Sequence, residues 1–257
     1  MSLFKELYNY REMVFMLVRR DLRGRYQASV LGFLWTFINP LLQLTVYAVV
    51  FAILLPSDIE NYYIFLFVAF IPWHFLASSI PVGAMCIPSQ ANLVQKIYFP
   101  RIILPISVTL TGFTNMLLSE LVVFAVLILS GMGLSIYLVA LPVVMIVQLL
   151  FVMGFVLILS ALTVYFRDLA HIMDIVMMAW FYSTPVVYAP EMIADKVPLM
   201  LTLNPMAGII SCYRDILYYQ RFPQLSSLTT AIIFGLVTIV FGTFIFQRLQ
   251  RGFAEEL

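Results

Sequence analysis

Two histidines, one deeply placed glutamate and the Arg167-Asp168 pair are the residues with which this chain could do chemistry. His74 and His171 fall in or near different predicted spans, with no metal-ligand spacing between them, so each reads as a packed or interfacial side chain. No metal site is expected. Glu120 is the one charge between Ile102 and Phe166. An acid at membrane depth is costly and points by default to a proton or ion relay. Such a relay needs a chain of partners, and only Asn115 and Ser119 lie near Glu120 on its helix, so a structural, hydrogen-bonded glutamate is the alternative. Arg167-Asp168 lies in a very short loop, where it would cap a helix, meet a partner or form a solvated turn. Cys86 and Cys212 are far apart and form no C-x-x-C, which suggests packing rather than a disulfide or metal. There is no G-x-x-x-x-G-K-[ST] and no Gly-Lys pair, so the chain carries no phosphate loop of its own.

The elements that must position these residues are set by apolar length. Of 257 residues, 63% are hydrophobic and 11% charged. A soluble domain carries roughly 25% charged residues. The reading is an all-α polytopic membrane protein. A helical span needs about 20 mostly apolar residues. Six spans are expected, near Leu34–Leu55, Tyr62–Ala84, two within Ile102–Phe166 divided by a turn at Ser130–Ser135, then Met173–Tyr188 and Leu225–Phe246. Val197–Tyr213 is apolar but short, and Pro198 and Asn204-Pro205 interrupt it. That segment predicts a re-entrant pair, Val197–Leu203 and Met206–Tyr219, between spans five and six, because irregular backbone at membrane depth must line a protein-enclosed cavity. No repeat or linker divides the chain. The expected organisation is one membrane domain over 1–257, with an amphipathic helix at 1–25, the spans at 34–247 and a tail at 248–257.

Charge fixes the expected orientation. With both ends inside, Lys5, Arg11, Arg19, Arg20, Arg23, Arg25, Lys96, Arg101, Arg167, Arg248 and Arg251 are cytoplasmic, and only Lys196, Arg214 and Arg221 are outside. The N-terminus is too polar, and its following apolar run too long, for a signal peptide, so it is expected to remain. Leu3, Leu7, Tyr10, Val14 and Leu17 form a stripe at steps of three and four, the mark of an amphipathic helix on the inner surface. Asp21 and Arg25 add an i,i+4 pair. In the second inner loop, Ser89 is placed to cap a short helix after Pro88 that Pro100 would end, a compact docking element. Trp35, Tyr62, Tyr63, Trp73, Trp180, Tyr182 and Tyr188 fall near predicted interfaces, as an aromatic belt or as the lining of a conduit.

Four stretches, in order, carry a family resemblance. "RRDLRGRYQASVLGFLWTFINPLLQLTVYAVVF", "NLVQKIYFPRIILPIS", "YFRDLAHIMDIVMMAWFYSTPVVY" and "LNPMAGIISCYRDIL" resemble the permease subunits of polysaccharide-exporting ABC transporters. The resemblance implies a homodimer that pairs with two copies of a separate ATPase, which holds the ATP and Mg, with no cofactor in this chain. It implies outward movement of a lipid-linked polysaccharide across the bacterial inner membrane: O-antigen of lipopolysaccharide foremost, or capsule or teichoic acid. The interface helix on the ATPase would present Arg11, Arg19, Arg20, Asp21, Arg23 and Arg25. The coupling helix, Gln90–Phe99, would seat in an ATPase cleft through Gln90, Asn92, Leu93, Gln95, Lys96, Tyr98 and Phe99, with Arg101 beside it. Arg167 and Asp168 would form the short inner loop. Channel aromatics are implied on spans one, two and five, for which Trp35, Tyr47, Tyr62, Trp73 and Tyr182 are the candidates.

Two other classes compete. A membrane enzyme acting on lipid-linked sugars would need acids at one face, and Asp58, Glu60, Glu191, Asp195 and Asp215 form no motif. An ion-coupled secondary transporter would want inverted repeats and midplane charges, of which Glu120 alone is present. Membrane lipid is an expected partner in every case; nucleic acid is not.

Overall fold

Long apolar runs that cannot hydrogen-bond to lipid must satisfy their backbones internally, and the chain does so as helices. A computed structural model describes residues 8–24, 31–54, 59–194 and 198–257, and among them there is no strand. After α1 (Arg11–Gly24) come α2 (Trp35–Leu54), α3 (Tyr62–Ala84), the short α4 (Ala91–Lys96), α5 (Ile103–Leu129) and α6 (Leu141–Tyr165). Then follow α7 (Leu169–Ser183), α8 (Glu191–Ala194), α9 (Pro198–Leu203), α10 (Pro205–Leu217), α11 (Leu225–Leu249) and α12 (Phe253–Glu256). Among the described residues, four helical stretches, Tyr62–Ala84, Ile103–Leu129, Ile136–Tyr165 and Leu225–Gly252, are long and apolar enough to cross a membrane, so this is a multi-pass membrane protein.

The second expected span coincides with α3. The turn expected at Ser130–Ser135 is also present: Gly131 has φ 81° and Gly133 φ 70°, left-handed values that only glycine adopts cheaply, and the Gly133 amide donates to the Leu127 carbonyl at 3.0 Å. Span five differs from expectation. The helix there is α7, with 15 residues. At about 1.5 Å per residue it reaches about 22 Å, short of a hydrocarbon core of about 30 Å. The expected helical residues beyond Ser183 instead form a turn, because the Thr184 and Val186 amides find only local acceptors. Ser89 is a correction. The loop begins as a 3-10 turn, Pro88–Gln90, so Ser89 lies inside it; its hydroxyl donates to the Cys86 carbonyl at 3.4 Å and caps nothing. The helix that follows stops at Lys96, where Ile97 turns extended, so Tyr98 and Phe99 lie beyond it.

Burial follows the apolar pattern. α3 is apolar on every side and sits centrally, touching α2, α5, α6, α7 and α10. α11 fully buries Ala231, Gly235, Gly242 and Phe246, a single stripe, flanked by part-buried residues such as Ile232, Ile239 and Ile245. Its partner is α6, the most extensive helix pairing in the molecule. Small residues let their backbones meet: a Cβ on Gly154 would overlap the Thr238 carbonyl, and one on Gly242 would overlap the Gly154 carbonyl.

Candidate functional site

The basic end of the molecule is joined by one apolar cluster. It holds Leu17 of α1, Val94 of α4, Phe99 and Ile102–Leu104 at the start of α5, Leu157, Ala161 and Val164 of α6, Phe246 of α11 and Phe253 of α12. α1 lies along α5, and the described part of its predicted stripe faces inward: Tyr10 and Val14 are part-buried, and Leu17 is buried. Leu3, Leu7 and Arg25 lie outside the described residues, and with Arg25 the Asp21–Arg25 pair. Asp21 is paired instead with Arg20 at 2.9 Å. Arg11, Arg19, Arg20 and Arg23 are exposed. An exposed pair of this kind is worth about 0–1 kcal/mol, so it orients side chains more than it stabilises the helix.

The predicted coupling residues divide into two groups. Phe99 is buried, and Leu93 is half-buried against the cluster, which anchors the loop. Asn92, Gln95, Lys96 and Tyr98 point outward, Tyr98 at 98% exposure, while Gln90 is half-buried. Arg101 donates through Nη1 to the Gln250 carbonyl and lies 5.9 Å from the centroid of the Phe253 ring. The Tyr165 hydroxyl donates to the Leu249 carbonyl at 2.9 Å. The tail is therefore docked against the coupling loop, which sequence reasoning missed because Phe253 is one aromatic in a short polar segment. Arg167 and Asp168 are exposed; Asp168 occupies the capping position of α7, but its side chain makes no cap bond.

Cys86 is buried in the same cluster, and burial pushes its thiol well up. The thiolate is the reactive form, and a raised thiol withholds it until higher pH. Maleimide labelling at pH 7.5 is expected to be slow in the folded protein and rapid in SDS. Rapid labelling of the folded protein would contradict the burial.

Toward the other end, polar side chains buried among the helices form two nodes. Asn204 accepts from the Met206 amide at 3.1 Å and from Trp180 Nε1 at 2.9 Å, and its Nδ2 donates to the Ser183 carbonyl and to Thr184 Oγ1. The break seen in the sequence as Asn-Pro is thus the cap of α10 and its tie to α7. Next along α10, Arg214 is only 2% exposed. Its Nη1 donates to the Pro185 carbonyl at 2.6 Å and to the Tyr188 carbonyl at 3.4 Å, and Nη2 to the Val186 carbonyl at 2.7 Å. The guanidinium also lies 3.6 Å from the Phe65 ring centroid. Asp215 takes Arg221 at 2.7 Å and the Gln224 amide at 3.0 Å, which fixes the approach to α11. Arg214 is therefore a buried clamp, whereas the sequence marked it only as an outside base on the helix expected at Met206–Tyr219.

Gln148, fully buried in α6, was not anticipated, since an uncharged polar residue barely alters an apolar run. It donates to the Pro72 carbonyl at 2.7 Å and accepts from the Tyr213 hydroxyl at 2.8 Å, knitting α3, α6 and α10 together. Glu120 is 1% exposed, yet its two oxygens have no hydrogen-bond partner among the described residues, and neither has the Asn115 amide. The expected hydrogen-bonded glutamate is thus corrected: Asn115 and Ser119 share its helix but do not reach its carboxylate.

The candidate aromatics meet across α2, α3 and α7. Tyr47 packs 5.2 Å from Phe70 and 5.8 Å from Phe181; Trp73 lies 5.5 Å from Phe181 and 6.3 Å from Trp180; Tyr182 lies 5.4 Å from Phe181. Trp73 is buried in this row, whereas Tyr182 is exposed. Tyr62 donates to the Val187 carbonyl at 2.6 Å, and Trp35 lines a small polar cavity with Asn39, His74 and Asn115. His74 stacks on Phe70, His171 is exposed, and no His, Cys, Asp or Glu group among the described residues could hold a metal.

Residues 12–218, from α1 through α10, match the family described as ABC-2 type transporter. The chain belongs to the ABC-2 type transporter family. This ABC-2 type transporter is 37% identical, over 99% of both chains, to the O-antigen export system permease protein RfbA of Myxococcus xanthus. It is 32% identical to a protein of the same description from Klebsiella pneumoniae, over 96% of this chain and 95% of the relative. Membership in an ABC transporter family implies an ATPase partner.

Proposed function

We propose that this chain is the channel-forming membrane subunit of an ATP-driven exporter that carries a lipid-linked polysaccharide, O-antigen first among the candidates, across the bacterial inner membrane. The observation that carries this reading is identity with O-antigen export permeases along essentially the whole chain. In this reading two copies form the conduit and two copies of a separate ATPase bind ATP and Mg. α2, α3, α5, α6 and α11 serve as spans of one membrane domain, α7 together with the turn that follows it to Tyr188 completes the sixth, and both ends lie in the cytoplasm. Arg11, Arg19, Arg20, Asp21, Arg23 and Arg25 face the ATPase from the interface helix; Gln90, Asn92, Leu93, Gln95, Lys96, Tyr98, Phe99 and Arg101 form the coupling segment. Arg167 and Asp168 form the short inner loop. The tie between the coupling segment and α1, α5, α6, α11 and the tail supports this reading, since a push on Tyr98 reaches each of them through Phe99 and Arg101. Trp35, Tyr47, Tyr62, Trp73 and Tyr182 contribute to the conduit, with Trp73 behind its surface.

The coupling role predicts that Tyr98→Ala leaves the fold intact, since the ring is almost wholly exposed. The variant should keep ATP hydrolysis within about twofold while export of polysaccharide to the cell surface drops at least tenfold, a loss of about 1.4 kcal/mol or more of coupling. Wild-type export by this variant would refute the role.

A further inference from the structure

We propose that the cleft between the coupling segment and the tail is a binding site for the phosphate of an anionic phospholipid headgroup. The cleft holds about 550 Å³ and is lined by Gln95, Lys96, Arg101, Gln247, Gln250 and Arg251, together with the stretch from Ile97 to Pro100. It carries three bases, and no acid among the described residues lines it.

Its cations are open to a ligand. Lys96 and Arg251 are exposed, and neither makes an ion pair or hydrogen bond among the described residues. Arg101 is held in place by the Gln250 carbonyl on Nη1 and by the Phe253 ring, and its Nε and Nη2 donate to no protein atom among the described residues. A guanidinium fixed on one side with donors free on the other is prepared for a planar, paired contact with phosphate oxygens. Four amide or phenol side chains, Gln95, Tyr98, Gln247 and Gln250, add neutral partners for a glycerol or sugar hydroxyl.

Its depth fits a headgroup. One wall runs into Ile103, the first residue of α5, and the other is the end of α11 at Leu249, so the cleft opens where two apolar helices leave the hydrocarbon. Basic pockets between helix ends on the cytoplasmic side attract anionic lipid headgroups. The site rests on the proposed inward orientation of this end; it shares Gln95, Lys96, Tyr98 and Arg101 with the proposed coupling segment, so the headgroup must remain when the ATPase is bound. A lipid seated there would brace the coupling segment against the tail.

The test uses the full chain in nanodiscs, alone and with its ATPase, and counts retained lipids by native mass spectrometry. Phosphatidylglycerol is expected to be retained over phosphatidylcholine, and the K96Q/R251Q double variant should lose at least fivefold of that preference, while Lys96→Arg keeps it. Thermal unfolding in phosphatidylcholine discs checks that the variants fold. Equal retention of the two lipids, or full retention by the folded double variant, overturns the site. Loss of the preference once the ATPase binds overturns it too, assigning the cations to a protein interface. Displacement of phosphatidylglycerol by a short polyprenyl diphosphate at a tenth of its concentration overturns the phospholipid assignment in favour of the carrier lipid. Impermeant maleimide labelling of Glu255→Cys reports orientation separately: labelling only from outside would refute the inward orientation whatever the lipids do.

Discussion

Arg214→Met is expected to destabilise the protein by several kcal/mol and to abolish export. The guanidinium serves three carbonyls, Pro185, Val186 and Tyr188, and covers the Phe65 ring. Methionine restores volume but leaves carbonyl acceptors without donors, at about 1–3 kcal/mol each. It also forfeits a desolvated cation–π contact worth about 2 kcal/mol. Even with partial relaxation, a net loss of about 4 kcal/mol follows. For a chain of this size that corresponds to a fall in Tm of about 10 °C. Arg214→Lys should fall between the two, since a single ammonium cannot fork between the Pro185 and Val186 carbonyls. Unfolding of the purified variants measures both, and a shift under 2 °C for the methionine variant would show that the clamp is dispensable.

Gly154→Val carries the second large effect. The α6–α11 pair brings Gly154 against the Thr238 carbonyl and Gly242 against Gly154, so the new side chain meets backbone rather than a flexible tip. The helices must separate, and overpacking of this kind costs about 1–3 kcal/mol or more. A drop in folded yield of at least fivefold is expected in membrane extracts, with Gly24→Val near wild type because nothing lies within 4 Å of that position. Equal yields of the two variants would contradict the close pairing.

What was legible in the sequence follows from which forces act over many residues. A 23-residue apolar run such as Tyr62–Ala84 leaves lipid no alternative to a helix, and Gly131 and Gly133 mark the turn that ends α5. The stripe through Tyr10, Val14 and Leu17 fixed the inner face of α1. Single buried polar residues were less legible. Arg214 reads only as an outside base on a short helix until the carbonyls of a turn 26 to 29 residues earlier are brought to it. Gln148 and Tyr213 lie 65 residues apart and meet only when α6 and α10 pack. Ser89 had the right residue type for a cap, but Pro88 began the turn one step too early. The tail gave the least signal, because Phe253 gains its importance from Arg101 and Tyr165, both distant in sequence.

Export of polysaccharide driven by ATP hydrolysis on a partner, and received at the basic end of this chain, is open to direct reconstitution. The most direct measurement reconstitutes the chain with its ATPase in proteoliposomes loaded with lipid-linked O-antigen and follows the glycan across the bilayer. Transfer is expected only with ATP and Mg, and is expected to be lost with Tyr98→Ala while hydrolysis continues. Transfer at the same rate without ATP, or without the ATPase, would contradict the account.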